Sequence, residues 1–497
     1  MSRRFLLLPL LALLALAAAG CGGTSSTGAE SAAGASVAPA SAPIFVTVDT
    51  DSGSAQWKQA DALLSKFPAR QKLLDAINRE LAKQGVDWAH DLRPALGNEV
   101  DIAVLGLDQG SRDVVGMLQP SDKAKFQALI DKIDKSDPSS PKTVTAEYKG
   151  WTLVSDKQTA IDTFRSEADK GSLADDPTFK EAMANESGGS LANAYVNGAA
   201  LQQLLQRLGS QFGSTAGCNG AQSTGNVQLR YISGSLTAES NGVRLHGTIV
   251  SDNAPGSSAG GTKSLLSEIP SGALLVLAFH GTDQFTQSFQ QLRQSCGDQM
   301  QKSLGQIESL LGVKLKDLAA LFRNETALYV RAGSPIPEVT LISHQDDPRA
   351  ALATVDTLAK RLGGLVGGTP RATTLDGTPA MELVVGPVSI FYAALGNEVV
   401  LTDSRTGFHD LTSGGAKLKD DPAFTDAQKA SGLGDDAPAF LYVDLKDSIP
   451  LVESLVQLAG TSIPPEVDAN LQPLKSFVVY GSATKGKSEF TAFLELR

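Results

Sequence analysis

The sequence is poor in the residues that build most metal and catalytic centres. Its 497 residues include three cysteines and five histidines, and aromatic residues make up 6% of the chain. The cysteines show no Cys-x-x-Cys spacing and the histidines no His-x-x-x-His spacing, so the sequence predicts no zinc site. We expect no metal, no cofactor and no catalytic residue, and we predict that the protein is not an enzyme. The histidines, which we expect to be surface residues or to have ordinary partners, are His90, His246, His280, His344 and His409.

Positive charge is scarce relative to negative charge. The net charge is −11 at pH 7, and it becomes more negative if Arg3 and Arg4 are removed with the N-terminal segment. An acidic protein has no electrostatic reason to approach nucleic acid or anionic lipid. The composition therefore argues against nucleic acid as a partner.

The longest apolar run lies at the N-terminus. Arg3 and Arg4 precede an apolar segment from Phe5 to Ala19, which Ala18-Ala19-Gly20-Cys21 closes. Basic residues, a short apolar core and small residues at the cut are typical of a secretory signal peptide, and the run is too short to span a bilayer. A cysteine at the cut is typical of a bacterial lipoprotein. We predict that residues 1–20 are removed and that a lipid on Cys21 anchors the chain to the cell membrane, outside the cytoplasm.

Two segments have the composition of connectors. Gly22 to Ala42 is almost entirely Gly, Ser, Thr, Ala and Pro, and Asp252 to Lys263 is similar. Such segments bury too little apolar surface to fold alone. The sequence therefore predicts a flexible tether at residues 21–38, a repeat at 39–252, a linker at 253–267 and a second repeat at 268–497.

Two cysteines remain once Cys21 carries a lipid. In an oxidising compartment an even pair predicts a disulfide, here between Cys218 and Cys296. Cys218 lies in a Gly/Ser/Asn segment of the first half, and Cys296 lies in a helical pattern of the second. The alternative is a buried free Cys296 on its apolar stripe, with Cys218 exposed.

Short motifs recur in the same order in the two halves. The matched pairs are Asp91-Leu92 with Asp317-Leu318, Asn98-Glu99 with Asn324-Glu325, Asp175 to Phe179 with Asp420 to Phe424, Ala194 to Asn197 with Leu441 to Asp444, and Gly234 to Thr237 with Gly481 to Thr484. Ordered matches of this kind predict an internal duplication. The spacing between matches grows along the chain, which places an additional hairpin of the second copy between Leu375 and Asp403.

Hydrophobic periodicity predicts the fold class. Phe285 to Ile307 repeats apolar residues every three or four positions, as a helix does, whereas the hairpins at the end of each copy alternate apolar and polar residues as strands do. We predict an α+β fold of two homologous lobes, each an antiparallel sheet covered by helices. Each copy starts with a βαββαβ order, which is typical of ferredoxin-like units.

The sequence resembles a family of uncharacterised, largely actinobacterial exported proteins and lipoproteins, catalogued only as a domain of unknown function. The resemblance rests on Gly97-Asn98-Glu99 before a strand, on the Asp-Asp-Pro-x-Phe segments, and on the openings Pro39-Ala40-Ser41-Ala42 and Pro270-Ser271-Gly272-Ala273. The second copy departs from it at Arg323, where the first has Gly97. The resemblance implies an exported protein with a duplicated α+β fold, and it implies no activity.

Two motifs look functional but lack the required context. Gly256 to Gly260 satisfies Gly-x-Ser-x-Gly, yet it lies in the linker and not between a strand and a helix. Asp49 to Gly53 resembles the start of a calcium loop, but its twelfth position is Ala60 and not glutamate. We interpret Asp49 to Gly53 as the acidic start of a helix.

The leading hypothesis is a lipid-anchored envelope protein with a binding or structural role and no enzymatic activity. Besides the membrane, its candidate partners are an envelope protein, a polymer or a lipid. One alternative is a carrier of a lipid or other apolar ligand, held between the sheets and the long helices. A further alternative is a hydrolase that acts on the cell envelope.

Overall fold

The computed structural model describes residues 32–107, 113–186, 188–216, 227–253, 260–282, 298–333, 336–458 and 460–497. Helices and antiparallel strands alternate along the chain, which confirms the predicted α+β class. The strands are β1 Ile44–Asp49, β2 Glu99–Val104, β3 Val114–Leu118, β4 Val144–Tyr148, β5 Trp151–Ser155, β6 Ala192–Asn197, β7 Gln228–Glu239, β8 Gly242–Asp252, β9 Ala273–His280, β10 Glu325–Arg331, β11 Glu338–His344, β12 Arg371–Leu375, β13 Thr378–Val385, β14 Val388–Leu395, β15 Glu398–Thr402, β16 Ala439–Asp444, β17 Leu474–Thr484 and β18 Lys487–Leu496.

The α-helices connect these strands. They are α1 Ala55–Leu64, α2 Arg70–Lys83, α3 Lys123–Ser136, α4 Gln158–Ala168, α5 Pro177–Ala184, α6 Gly198–Ala216, α7 Asp298–Leu311, α8 Leu315–Ala320, α9 Pro348–Val366, α10 Arg405–Thr412, α11 Pro422–Ser431, α12 Leu445–Leu458 and α13 Pro465–Leu471, with a short helical turn at Trp88–Leu92 and Arg93–Ala95. Short 3₁₀ segments lie at Ala33–Ser36, Leu173–Asp175, Leu265–Ser267 and Leu418–Asp420.

Strands from both halves join one continuous sheet, in which every pairing among the described residues is antiparallel. The pairings give the order β4-β5-β3-β2-β1-β6-β7-β8 for the first half, followed by β18-β17-β16-β9-β10-β11-β15-β14-β13-β12 for the second. The halves meet where β8 pairs with β18, and His246 lies opposite Thr491 there. The second half has two more strands than the first, β12 and β13, which overlap in part with the segment Leu375 to Asp403 where the motif spacing predicted an additional hairpin.

The ferredoxin-like prediction is wrong about the spatial order of the strands. A split βαβ unit needs parallel strands joined by a crossover helix. Here α1 and α2 connect β1 to β2, which are antiparallel neighbours with Val46 opposite Ile102. Hydrophobic periodicity identifies the elements along the chain, but it carries no information about which strands pair.

The Asp-Asp-Pro-x-Phe segments each start a helix. In the first half, the Asp176 side chain accepts a hydrogen bond from the Phe179 N–H at 2.8 Å and caps α5. Pro177 is the first helical residue, where its missing N–H is not needed. The Phe179 ring then meets Phe45 and Tyr195 edge-on, at centroid distances of 5.7 and 5.1 Å.

The second segment has the same arrangement with one additional bond. Asp421 caps α11 by accepting from the Ala423 N–H at 2.8 Å, and its other carboxylate oxygen accepts from the Gly272 N–H at 2.7 Å. Phe424 packs against Phe440 and Tyr442, at centroid distances of 5.8 and 5.1 Å. The motif therefore combines a helix cap with an aromatic side chain of the core.

The folded part of each half begins earlier than the sequence predicted. Residues 32–38, expected to belong to the tether, pack on the first half, where Val37 and Ala38 are buried. Glu99 anchors them by accepting from the Ala32 and Gly34 N–H groups, both at 3.2 Å. Residues 265–267, expected in the linker, contribute Leu265 and Leu266 to the second core. These segments contain few large apolar residues, but they can still fold because each one packs against a sheet that the rest of its half forms.

The sheet has two differently covered faces. The core face carries Phe45 in the first half and Val276 in the second, within the two largest groups of buried apolar residues. The opposite face, here called the long-helix face, carries Val100 and Val399. Residues of α1, α2 and α3 cover it in the first half and residues of α9 in the second.

Candidate functional site

Four strands of the second half place titratable side chains beside one another at one end of the core face. Glu325 lies opposite His280, and His344 lies opposite Glu398. These residues occupy the last core-face position of β9 and β11 and the first of β10 and β15. Glu268, from the segment that precedes β9, reaches the same group. The next row along the strands is apolar and buried, and it consists of Ala278, Ala327, Ile342 and Val400. The charged row therefore lies at the edge of the apolar core.

His344 is the centre of this group. Its Nδ1 is 2.9 Å from Glu325 Oε2, and its Nε2 is 2.9 Å from Glu268 Oε2 and 3.6 Å from Glu398 Oε1. The His344 side chain is only 13% exposed. Hydrogen bonds to Glu268 and Glu398 raise the pKa of His344 to about 10. Without a bound cation, the imidazole is therefore protonated at neutral pH.

The carboxylates outnumber the cations in this group. Three carboxylates surround the single imidazolium, and Ser264 donates a hydrogen bond to Glu325. Lys417 lies near Glu268 and Glu398, but its Nζ donates to the backbone oxygens of Asp410 at 3.2 Å and Leu411 at 3.1 Å. Burial lowers the pKa of Lys417. The group thus carries a negative charge excess that favours a further cation.

The corresponding place in the first half holds a small polar pocket. Thr47 lies opposite both Asp101 and Asn193, and Asp49 lies opposite Glu99 in the next row. The pocket has a volume of about 140 Å³ and is lined by Thr47, Asp49, Asp51, Ser54, Ala55, Gln56, Asn98, Glu99, Gly188, Gly189, Ser190, Ala192 and Asn193. In the second half the equivalent pairings join Ala278 to Ala327 and Phe440, which are all apolar and buried. Polarity of this row is therefore particular to the first half.

Several buried polar atoms of the pocket region lack a hydrogen-bond partner among the described residues. They are both carboxyl oxygens of Asp101, Ser190 Oγ and Asn193 Oδ1. Burial, and secondarily the charge of Glu99, raises the pKa of Asp101 well above its ordinary value. Burial likewise raises the pKa of Asp49 to about 6. Ser190 and Asn193 line the pocket, whereas Asp101 lies behind it in the same polar row.

The long-helix face carries a continuous apolar row through the centre of the sheet. One residue from each of nine successively paired strands contributes to it: Leu236, Leu245, Ala492, Val479, Leu441, Leu277, Leu328, Leu341 and Leu401. At its ends the row continues under helices, where Val48 and Tyr392 are buried. In the middle it is only partly covered, since Leu245 is 43% exposed and Leu277 40%.

The sequence-predicted site residues have different outcomes. Cys21, Cys218 and Cys296 lie outside the described residues, so lipidation and the disulfide stay predictions. Ser54 caps α1 by accepting from the Trp57 N–H, as expected for a helix start after Asp49 to Gly53. Asp49 and Asp51 also line the polar pocket, which the sequence did not indicate.

Sequence reasoning missed the His344 group entirely. Glu268, His344 and Glu398 are far apart in the chain and share no local motif. The one available signal was the recurring Asn-Glu pair, since it marks Glu99 and Glu325 at equivalent strand starts. Of the described residues, no helix has the length and apolarity needed to cross a membrane.

The chain belongs to the family described as protein of unknown function (DUF3352). The family model matches residues 6–160 and again residues 157–496, so the two matches together span nearly the whole chain and suggest a duplication. This confirms the predicted resemblance to a family of unknown function. The family description assigns no activity.

Solved structures show a much weaker likeness. Crystal forms I, IV and III of TP0453 are 13%, 13% and 11% identical to this chain, with TM-scores of 0.24, 0.24 and 0.21. The matches cover 46% of this chain and 77%, 79% and 82% of those chains. Scores this low support no argument about fold or function. No curated protein matches the sequence.

Proposed function

We propose that this is a lipid-anchored envelope protein that binds an apolar ligand of the lipid class and catalyses no reaction. The observation that carries the proposal is the partly exposed apolar row on the long-helix face. A sheet face that meets only water normally presents polar side chains. A contiguous apolar surface instead indicates contact with another apolar surface.

An acyl chain fits the length and chemistry of this surface. The row is long, because it takes one side chain from each successive strand. Leu245, Leu277 and Leu441 offer only apolar atoms, so a ligand there gains from burial of its own apolar surface and needs no polar partner. Helices cover the ends of the row, so its exposed part, here called the groove, lies in the middle of the sheet.

We also propose that the two halves are homologous lobes, with the groove built from both. Two observations support this: the strand orders agree apart from β12 and β13, and the Asp176 and Asp421 helix caps are alike. Pairing of β8 with β18 would then join the apolar faces of the two lobes into one surface.

Leu277→Glu tests the groove. A carboxylate placed beside an acyl chain loses its own hydration and gains no compensating partner. We therefore expect at least a tenfold loss of non-covalently retained lipid. The full-length protein is extracted in mild detergent, and its lipids are removed with solvent and quantified by mass spectrometry. A lipid attached to Cys21 stays on the protein, which separates the anchor from the ligand.

Val384→Glu is the matched control, because Val384 is a comparably exposed strand residue on the opposite face, in register with Ser389. It should retain lipid as the unmodified protein does. Leu245→Glu provides a second groove variant, and circular dichroism checks that each variant folds. Unchanged lipid retention in both folded groove variants would rule out this surface.

Cys21→Ser tests the anchor. Without the thiol no lipid can be attached, so we expect the protein to move from the membrane pellet to the soluble or secreted fraction. Fractionation followed by immunoblotting measures this, and Cys218→Ser serves as a cysteine control that should stay in the membrane. A Cys21→Ser protein that remains in the pellet after a high-salt wash shows that the anchor lies elsewhere.

A further inference from the structure

We propose that Glu268, His344 and Glu398 bind a divalent transition-metal ion, for which Zn²⁺ is the best chemical fit. The site is independent of the proposed lipid groove, because these side chains lie on the core face of the sheet. The ion would be coordinated by one nitrogen of His344 and by one carboxylate oxygen each of Glu268 and Glu398. These three potential ligand atoms lie within 4.8 Å of one another.

The distances suit a tetrahedral ion. Zinc binds histidine nitrogen and carboxylate oxygen at about 2.0–2.2 Å, so two ligands at a tetrahedral angle lie about 3.4 Å apart. Nε2 of His344 is 2.9 Å from Glu268 Oε2 and 3.6 Å from Glu398 Oε1. Small side-chain rotations therefore suffice to admit the ion, which would replace the proton on Nε2.

Glu325 supplies the partner that a ligating histidine requires. Its Oε2 is 2.9 Å from His344 Nδ1, so the Nδ1–H donates to a carboxylate while Nε2 points toward Glu268 and Glu398. A second carboxylate behind the histidine is a regular feature of metal sites, since it fixes the ring orientation and increases the basicity of the ligating nitrogen. Ser264 in turn holds Glu325 by donating to it.

The charge balance also favours an ion. Three carboxylates surround one imidazole ring, and a divalent cation offsets more of their charge than a single proton does. Calcium and magnesium fit less well because they prefer six or more oxygen ligands. A mixed nitrogen and carboxylate set suits zinc and neighbouring transition ions.

The first half shows that the fold does not require this group. Glu99 occupies the position of Glu325, but the positions that correspond to His344 and Glu398 hold Gln119, directly after β3, and Trp151, the first residue of β5. Tryptophan cannot ligate a metal ion. The equivalent strands of the first half thus pair in the same order without the cluster, so this part of the fold does not need it. An ion there would fasten the segment that contains Glu268 to β11 and β15.

Zinc titration of the full-length protein tests the site. The protein is purified in detergent, stripped with a chelator and titrated with Zn²⁺ by calorimetry, and the bound metal is counted by mass spectrometry. We expect one ion per chain and a higher thermal unfolding temperature with zinc. Glu398→Gln and His344→Ala should each weaken binding at least 100-fold, and Glu325→Gln should weaken it about 10–100-fold.

His409→Ala is the control, because His409 is an exposed histidine that also pairs with a carboxylate, Asp376, at 2.9 Å but lies outside the group of three. It should bind zinc as the unmodified protein does. Glu398→Gln keeps the side-chain volume, so it remains informative if His344→Ala fails to fold. Absence of zinc binding by the folded unmodified protein, or equal binding by folded Glu398→Gln, would overturn the proposal.

Discussion

Phe424→Ala is expected to lower the free energy of unfolding by about 3–5 kcal/mol, as truncation of a buried phenylalanine does. Phe424 is 1% exposed and lies in the core of the second half. Its ring touches Phe440 and Tyr442, so alanine would leave a cavity bordered by two rigid aromatic rings that cannot move into it. Denaturant titration of the full-length protein, followed by circular dichroism, measures the change.

Two companion variants make this prediction specific. Phe179→Ala removes the ring at the equivalent place of the first half, between Phe45 and Tyr195, and should cost a similar amount. Phe322→Ala removes a partly exposed ring and should cost less than half as much. Equal losses from Phe322→Ala and Phe424→Ala would show that the Asp-Asp-Pro-x-Phe segment has no special role in the core.

The elements of the fold are predictable from local sequence because their causes are local. The break between α1 and α2 follows from Pro68, which cannot donate the backbone hydrogen bond that a helix interior needs. Turns such as Gly386-Pro387 and Gly396-Asn397 separate β13, β14 and β15 as the sequence indicates. Strand order is a different matter, since β1 pairs with β2 and β6 through contacts distant in sequence. This is why the ferredoxin-like arrangement was wrong.

The candidate sites were less predictable for the same reason. The alternation in β8 correctly indicates one apolar side, but only the pairing of β8 with β18 shows that Leu245 continues a row across both halves. His344 looks ordinary in the sequence, because its three carboxylates arrive from other strands and from the segment before β9. The predicted domain boundaries were wrong where a segment with the composition of a linker packs against the sheet, as Val37 and Ala38 do.

The polar row behind the pocket has a consequence for stability that the apolar second half should lack. Asp101 is 0% exposed, and its carboxyl oxygens have no hydrogen-bond partner among the described residues. Gly34 packs so closely against this carboxyl that a Cβ there would clash with it. Ala327 occupies the corresponding position of the second half. Keeping an ionisable group here costs stability, as expected of a residue retained for a ligand or for another role.

Asp101→Asn is expected to raise the free energy of unfolding at pH 7 by on the order of 2 kcal/mol, since asparagine needs no proton to enter this buried position. Burial raises the pKa of Asp101 in the folded protein, which therefore holds the proton more tightly than the unfolded chain does. Stability must then fall as the pH rises from about 4, the pKa of an unfolded aspartate, toward the raised folded value. The gain from Asp101→Asn should accordingly be large at pH 7 and vanish near pH 4.

Denaturant titrations across this range measure the gain. Asp131→Asn, which replaces an exposed aspartate of α3, is the control and should show no such trend. A gain that is the same at both pH values would show that Asp101 does not change its protonation on unfolding. Asp49, whose pKa burial raises to about 6, should leave a smaller decline of the same sign between about pH 4 and pH 6 in the Asp101→Asn protein.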